Sequence, residues 1–488
     1  MQHIEQTNPL AEWLLSLDRR LYALVIGAGI GIAAGVIGVA IAYIGPILTG
    51  AAFVGIFGAV YIITDERAAL YGTLVTMMLL PFSTFPFKII LTPTLLDATL
   101  GAFVGVYALQ WITGRRRTLR LTPANIMIAV YTVYFVFAFV LGLRFGAPTN
   151  NILRQFAETL LAISMTFILV DITRDEKTLR RMVLLVILLV ACQSLLAIFL
   201  WVLPDAFAER QLIRLARIGY PDGGVIRYVE DNPGLAERAI GTFVDPNVLG
   251  GALAIFASMI TPQIFAKKPV IPFRWLTFAV WGVVIVALLL TFSRAAMVGF
   301  AAGLVLIATL RYRKLFYLMI AGLMLLLFLP QTQFYIERFV SAFGGRDADP
   351  ATLMRMGEYG DSIELIRQYP WFGVGFTGTP TADLYTSVAS MYLIIANHIG
   401  LIGLALFLIT MLVIFLYGWR AWQAGKDNDA LNSILLGYYA ALLTVLTTSI
   451  ADMYYFRLDF QSQITLFWLI IALALATARL ALEDPNET

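Results

Sequence analysis

The chain is poor in the residues that build most catalytic centres. It has a single cysteine, Cys192, which excludes a disulfide framework and a cysteine-based zinc site. Its two histidines, His3 and His398, leave too few ligands for a histidine-cluster metal centre. Charged residues make up 13% and hydrophobic residues 60% of the 488 positions. Soluble domains carry about 25% and about 45–50%, so an ordinary soluble fold is excluded. With 38 Gly and 19 Pro, the chain is neither collagen-like nor disordered. It holds no Walker loop, dinucleotide fingerprint or nucleophile elbow, and no internal repeat or low-complexity stretch. No cofactor or metal is expected.

What the sequence has is long apolar runs. A membrane span needs about 20 mostly apolar residues, and fourteen segments qualify or come close: 21–44, 47–63, 68–80, 94–112, 124–143, 152–172, 179–203, 245–265, 272–290, 295–310, 313–329, 387–416, 431–450 and 460–478. The third is short and the tenth marginal, which gives twelve to fourteen spans. The runs do not alternate, so the pattern predicts helices and not an outer-membrane barrel. The fold class is therefore an all-α polytopic membrane protein. Segment 21–44 is too long for a signal core and is followed at once by another span. Gly27, Gly31 and Gly35, four residues apart, predict helix packing.

Basic residues set the predicted orientation. Arg19, Arg20, Arg67, Arg115, Arg116, Arg117, Arg120, Arg174, Lys177, Arg180, Arg181, Lys267, Lys268, Arg274, Arg311, Arg313, Lys314, Arg420, Lys426 and Arg479 fall in alternate connections or at the two terminal flanks. That side is cytoplasmic, and both termini with it. The organisation is then 1–203, N-terminal spans; 204–238, an external loop; 239–329, further spans; 330–386, a long external loop; and 387–488, the last spans. Loops this long in compact proteins are usually functional or disordered. The second predicts an interfacial helix over 351–369, with Leu353, Met356, Gly360, Ile363 and Ile366 at helical spacing and Arg355, Glu358, Asp361 and Arg367 off the stripe. Pro370 ends it, and Gly373 and Gly375 permit a sharp turn.

Several charged or polar positions could carry chemistry. Arg238 precedes Asp245-Pro246-Asn247, where Asp245 can be an N-cap and Pro246 the first helical residue. The bland account is that these three residues simply start a helix. Arg294 lies in the tight turn Thr291–Arg294, where an arginine between apolar helices must snorkel or meet an anion. Arg238, Arg294 and Arg355 together could form an outward-facing guanidinium cluster suited to a phosphate or pyrophosphate on a lipid. Asp97, Arg154 and Glu158 lie near outer span ends, and an i,i+4 pairing of Arg154 with Glu158 is the simplest account. His398 is expected to hydrogen-bond between helices.

Four segments in order, "RAIGTFVDPNVLGG" (238–251), "TFSRAAMVGF" (291–300), "RMGEYGDSIELIRQYPWFGVGF" (355–376) and "MYLIIANHIGLIGL" (391–404), resemble the O-antigen ligase and O-antigen polymerase family. The resemblance covers roughly 245–405. It implies a metal-independent, inverting membrane glycosyltransferase that acts on polyprenyl-pyrophosphate-linked glycans outside the cytoplasmic (inner) membrane. Its partners would be that lipid-linked oligosaccharide, a glycan or lipid acceptor and the bilayer, with no nucleic acid. Carried over by position, Arg238, Arg294 and Arg355 would hold the pyrophosphate. Asn247 with Gly250 matches "N-x-x-G", Tyr359 stands where an aromatic residue follows the loop arginine, and Pro370, Gly373 and Gly375 match "P-x-x-G-x-G". The family's His-Asn or Asp-Asn pair before "x-Y-L" is here Ala389-Ser390. Its base would have to come from elsewhere, with Glu358, Asp361 and Asp383 as candidates. Ser390 and Tyr392 could still bind sugar hydroxyls. The missing histidine tilts the reading toward polymerase over ligase.

The main rival is a flippase or transporter of polyprenyl-linked glycan, which would be expected to show repeats and interrupted helices near the midplane; little of either is evident. A peptidoglycan glycosyltransferase of the shape-and-division family fits the four segments less well. A purely structural scaffold gives no reason for Arg294 or Arg355.

Overall fold

The computed structural model describes residues 65–85, 93–328, 350–378 and 388–483, with isolated positions between 18 and 61. Residues 1–68 and 69–488 form separate compact units. The expected spans 21–44 and 47–63 fall largely outside the described residues. Gly27, Gly31 and Gly35 are helical but exposed, and a Cβ at any of them meets nothing within 4 Å. The stripe expected to seat a second helix therefore has no neighbour among the described residues.

The larger unit is a helical bundle: α1 (Glu66–Leu79), α2 (Leu95–Ile112), α3 (Pro123–Gly142), α4 (Asn150–Ile172), α5 (Glu176–Val202), α6 (Asp205–Ile213), α7 (Pro246–Phe265), α8 (Arg274–Leu290), α9 (Arg294–Leu310), α10 (Leu315–Phe328), α11 (Pro350–Gln368), α12 (Met391–Ala424), α13 (Asp429–Thr448) and α14 (Gln461–Leu482). A two-residue ribbon, β1 (Arg227–Tyr228) with β2 (Glu237–Arg238), is antiparallel. Eight of these helices are long and apolar enough to cross a membrane, and α8, α9 and part of α10 are shorter apolar helices. The chain is a polytopic all-α membrane protein. Hydropathy placed the described helices well because in lipid a helix must satisfy its own backbone. Capping residues then fix the ends, such as Thr94 in a reciprocal box with Asp97.

Helices α7, α13 and α14 form the buried centre, with α9 and α8 packed on α7 and α4 and α12 packed on α14. Small and hydroxyl residues hold the centre together, as expected where lipid removes the hydrophobic drive between helices. Ser258 and Thr444 share a hydrogen bond at 2.7 Å, and Gly299 and Gly303 leave no room for a Cβ against Thr448 and Thr444. This is a genuine small-xxx-small seam.

The two ends differ in chemistry. At the end bearing α5's start and α14's finish, buried Asp171 accepts from Arg116 at 2.6 Å, from the Tyr107 hydroxyl at 3.1 Å and from the Arg120 amide at 2.9 Å. Arg311 pairs with Asp429 there. At the other end Arg154 pairs with Asp97 at 2.6 Å and with Glu158 at 3.4 Å.

One helix is interrupted. Gly400 in α12 adopts φ 72 and ψ 178, which breaks the ladder and frees backbone groups in mid-helix. The turn after α11 supplies their partners: Val374 N–H donates to Asn397 O at 2.8 Å, Gly375 N–H to His398 O at 2.9 Å, and Leu401 N–H to Pro370 O at 2.7 Å. The Tyr134 hydroxyl takes Ile399 O at 3.0 Å. Gly373 and Gly375 have φ of 68 and 74, and Gly375 lies directly on Gly142 of α3. His398 bonds the Gly375 carbonyl, and its ring stacks on Phe376 at 4.7 Å. The interrupted helix that the sequence did not reveal is thus sealed by the chain's own backbone.

Replacing Gly375 or Gly400 by Ala is expected to cost at least about 1–3 kcal/mol, since each holds a left-handed or extended positive φ with backbone in the way of a Cβ. Gly101→Ala, in open space on α2, should cost nothing. Thermal unfolding of the purified full chain checks the contrast.

Candidate active site

The site is assembled from four stretches that meet at one end of the bundle. The first is the approach to α7. Val244 takes φ 63, which turns the chain so that Asp245 caps α7, accepting from Asn247 N–H at 2.7 Å and Val248 N–H at 3.1 Å. Pro246 occupies the first helical position. The expected N-cap is therefore present, and it aims the first turn of α7 and its dipole at the site.

The second is the turn between α8 and α9. Phe292 has φ 52, and Gly250 of α7 lies against Ser293 and Thr291, where a side chain would collide. At 17 residues each, α8 and α9 are about 25 Å long, short of the about 30 Å of hydrocarbon. Arg274 and Arg311 mark their far ends, so in a bilayer of that thickness the turn carrying Arg294 would be recessed.

Arg238 links the first two stretches. From β2 its Nε donates to Thr291 O at 2.8 Å and an Nη to Asn247 Oδ1 at 2.7 Å. Two of its donors are thereby fixed, and burial lowers its pKa against the opposing pull of Asp245, Tyr454 and Asp452.

The third stretch is α11. Leu353, Met354, Met356 and Ile363 face outward, as an interfacial helix requires, and the opposite side turns Arg355, Glu358, Tyr359 and Ser362 inward. Arg294 reaches Thr352 Oγ1 at 3.4 Å. Arg355 pairs with Asp452 at 3.6 Å, a residue of the fourth stretch, the turn between α13 and α14.

Arg238, Asn247, Phe292, Ser293, Arg294, Ala295 and Arg355 line a single cavity of about 60 Å³. At about 10–15 Å³ per water it admits several waters. The three arginines, 117 positions apart in sequence from first to last, thus share one wall. Guanidinium groups with some donors fixed by carbonyl and amide oxygens are preorganised for phosphate oxygens.

Other sequence candidates divide. Asp245 braces the site from below as a cap. Glu358 accepts from the Ala389 N–H at 3.0 Å and the Tyr359 hydroxyl donates to Ala389 O at 3.1 Å. Both are thus spent on the backbone of Ala389. Ser390 is buried, starting α12. Tyr392 gives its hydroxyl to Leu446 O at 2.7 Å inside the bundle. Asp361 is half-buried on α11 and does not line the cavity. Gly373 and Gly375 seal the α12 break. Asp383 lies outside the described residues.

Sequence reasoning missed Asp452. Its side chain is 2% exposed, one oxygen faces Arg355, and the other has no hydrogen-bond partner among the described residues. Burial is the largest influence and pushes its pKa up to about 7 despite Arg355. The signal was available: an acid in a short apolar turn between two spans, on the same predicted side as the arginines.

Residues 277–408 match the family described as O-antigen ligase. Over that segment, about a quarter of the chain, the sequence is similar to the O-antigen ligase family. No curated protein matches it. The matched segment holds Arg294, Arg355, Glu358, Tyr359, Gly373, Gly375, Ser390 and Tyr392, whereas Arg238 and Asn247 come to the cavity from outside it, and Asp452, also outside the segment, pairs with Arg355 without lining the cavity. The first of the four resembling segments, 238–251, precedes the match.

If Asp452 must be ionised to act, activity should rise with pH through about 7, and Asp452→Asn should abolish that limb while lowering the rate by about 10²-fold or more. Glu358→Gln, which keeps an acceptor for Ala389 N–H, should change the rate less than about threefold. A pH–rate profile of the two variants checks both. For stability the sign is opposite: the folded state retains the Asp452 proton above the ordinary carboxylate range, so Asp452 penalises the fold increasingly from about pH 4 to about pH 7.

Proposed function

We propose that the protein is a glycosyltransferase of the O-antigen polymerase or ligase type, moving a glycan from a polyprenyl-pyrophosphate donor to an acceptor hydroxyl at the external face of the inner membrane. The observation that carries this reading is the cavity walled by Arg238, Arg294 and Arg355 in a chain whose 277–408 segment is similar to the O-antigen ligase family. External placement rests on the basic residues gathered at the opposite end of the bundle.

In this mechanism the pyrophosphate sits against the three guanidinium groups with its lipid tail in the bilayer. The acceptor oxygen attacks the anomeric carbon from the face opposite the leaving group. The bond from that carbon to the phosphate oxygen breaks, its electron pair leaves with the pyrophosphate, and the configuration inverts. Charge growing on the bridging oxygen is stabilised by arginines already held in place, which is where fixed electrostatics contributes most. The hydroxyl proton passes to the unpartnered oxygen of Asp452. That carboxylate supplies the base that Ala389-Ser390 cannot, and a pKa near neutrality suits the role. The recessed turn limits water and with it hydrolysis of the donor.

The flippase alternative draws on one specific feature, the interruption of α12 at Gly400. In transporters such breaks face a substrate cavity, but here the freed groups are bonded to 370–375 and Tyr134.

Reconstitution with a polyprenyl-pyrophosphate oligosaccharide and an acceptor glycan, followed by gel analysis, tests the reading. A ladder is expected for a polymerase and a single shifted acceptor for a ligase. Unchanged donor on the opposite leaflet would contradict transfer altogether. Arg238→Ala, Arg294→Ala and Arg355→Ala should each lose about 10²-fold or more in rate, and full activity in all three would refute the proposed site.

A further inference from the structure

The end of the bundle opposite the arginine cavity carries a second cationic feature that the transfer reaction does not use. Helices α5 and α8 pack side by side and run in the same direction, so residues 176–184 and the chain entering α8 lie together. Glu176, Lys177, Arg180, Arg181, Leu184 and Val270 line a groove of about 400 Å³ there.

The charges in this groove are not equivalent. Arg180 is committed to structure, donating to Pro269 O at 2.6 Å and Lys268 O at 3.2 Å, which pins α5 to the 266–273 connection and makes the wall rigid. Glu176 is neutralised in place, 3.6 Å from Arg180 and accepting from Asn428 at 3.0 Å. Lys177 and Arg181 remain. They stand one turn apart on α5, are exposed, and form no ion pair among the described residues. Lys267 and Lys268 are exposed on the adjoining connection. The groove therefore presents a net positive rim over an apolar floor of Leu184 and Val270.

Its depth in the membrane is marked independently. Phe273, Trp275 and Phe278, at the start of α8, are 61%, 69% and 59% exposed. Large aromatic side chains displayed outward at a helix end sit at the headgroup boundary. A cationic rim at that level, above an apolar floor leading toward the lipid tails, matches one ligand chemistry: a phosphodiester headgroup attached to acyl chains. A soluble anion would gain nothing from the floor, and a zwitterionic lipid would bring its own cation against the rim.

We propose that the groove between α5 and the 266–273 connection binds an anionic phospholipid, its phosphate between Lys177 and Arg181 and its acyl chains against Leu184 and Val270. The bound lipid ties α5 to α8, the two helices that lead to the loop bearing Arg238 and to the turn bearing Arg294, and so steadies the far end as well.

The test uses the purified full chain in neutral detergent and reads its thermal unfolding midpoint with added phosphatidylglycerol, phosphatidylcholine or inorganic phosphate. Phosphatidylglycerol should raise the midpoint by several degrees over phosphatidylcholine, and phosphate alone should not. In the double variant Lys177→Gln, Arg181→Gln the difference between the two lipids should vanish while the midpoint in phosphatidylcholine stays that of the unaltered chain. The control Arg115→Gln, Arg117→Gln removes two exposed charges from the same end outside the groove and should keep the difference. If the groove variant keeps the phosphatidylglycerol effect, or the control loses it equally, the site does not exist as described. Should the double variant not fold, Arg181→Gln alone is read the same way, with about half the shift expected to remain; an undiminished shift overturns the proposal. None of these readouts involves glycan transfer, so the result stands apart from the proposed activity.

Discussion

Holding three guanidinium groups against one small cavity at the end of an apolar bundle is the constraint on which the rest of this structure depends. Like charges so gathered repel, and burial penalises Arg238, so the fold must restrain them. It does so unevenly. Arg238 is bonded to Thr291 O and Asn247, Arg355 faces buried Asp452, and Arg294 enters at the first position of α9. The N-cap Asp245, the positive-φ residues Val244 and Phe292, and the close seating of Gly250 all set the backbone so that these side chains converge. Strained positions that cluster around one cavity fit a site where geometry has been favoured over local stability.

The second organising feature is the seam between the 370–376 turn and α12. It fixes the end of α11, and with it the register of Arg355, Glu358 and Tyr359, to the core of the bundle. Phe376 extends this anchor into the aromatic cluster of Phe135, Phe139, Phe156 and Phe456. The 277–408 segment is therefore more than a string of motifs. Its glycine turn closes the gap in its own last helix and holds the arginine-bearing helix over the cavity.

Much of this was legible in the sequence, and for definite reasons. Apolar runs marked the described spans because a helix in lipid has to be apolar for its whole length. Asp245-Pro246 marked the start of α7 because cap and first-turn preferences are local. Placing the loops of Arg238, Arg294 and Arg355 on one side suggested that they could meet, but only the folded chain brings them to one cavity. The break at Gly400 was hidden, because it depends on partners 25–30 residues earlier that no local pattern shows. Asp452 was overlooked although an acid in a short turn between two spans was there to be noticed; its partner Arg355 lies almost a hundred positions away. Glu358 illustrates the converse, since its acidity suggested a base while its actual contact is a backbone amide. Gly27, Gly31 and Gly35 have the spacing of a packing seam, and among the described residues a helix fills such a seam at Gly299 and Gly303.

The central claim is that the arginine cavity holds the doubly phosphorylated end of a lipid carrier. Its most direct test is an experimental structure of the full chain bound to a polyprenyl pyrophosphate whose sugar cannot be transferred. The account predicts density for both phosphates in contact with Arg238, Arg294 and Arg355. Phosphate density anywhere else, such as beside Arg181 at the opposite end of the bundle, with the arginine cavity filled by water, would contradict it.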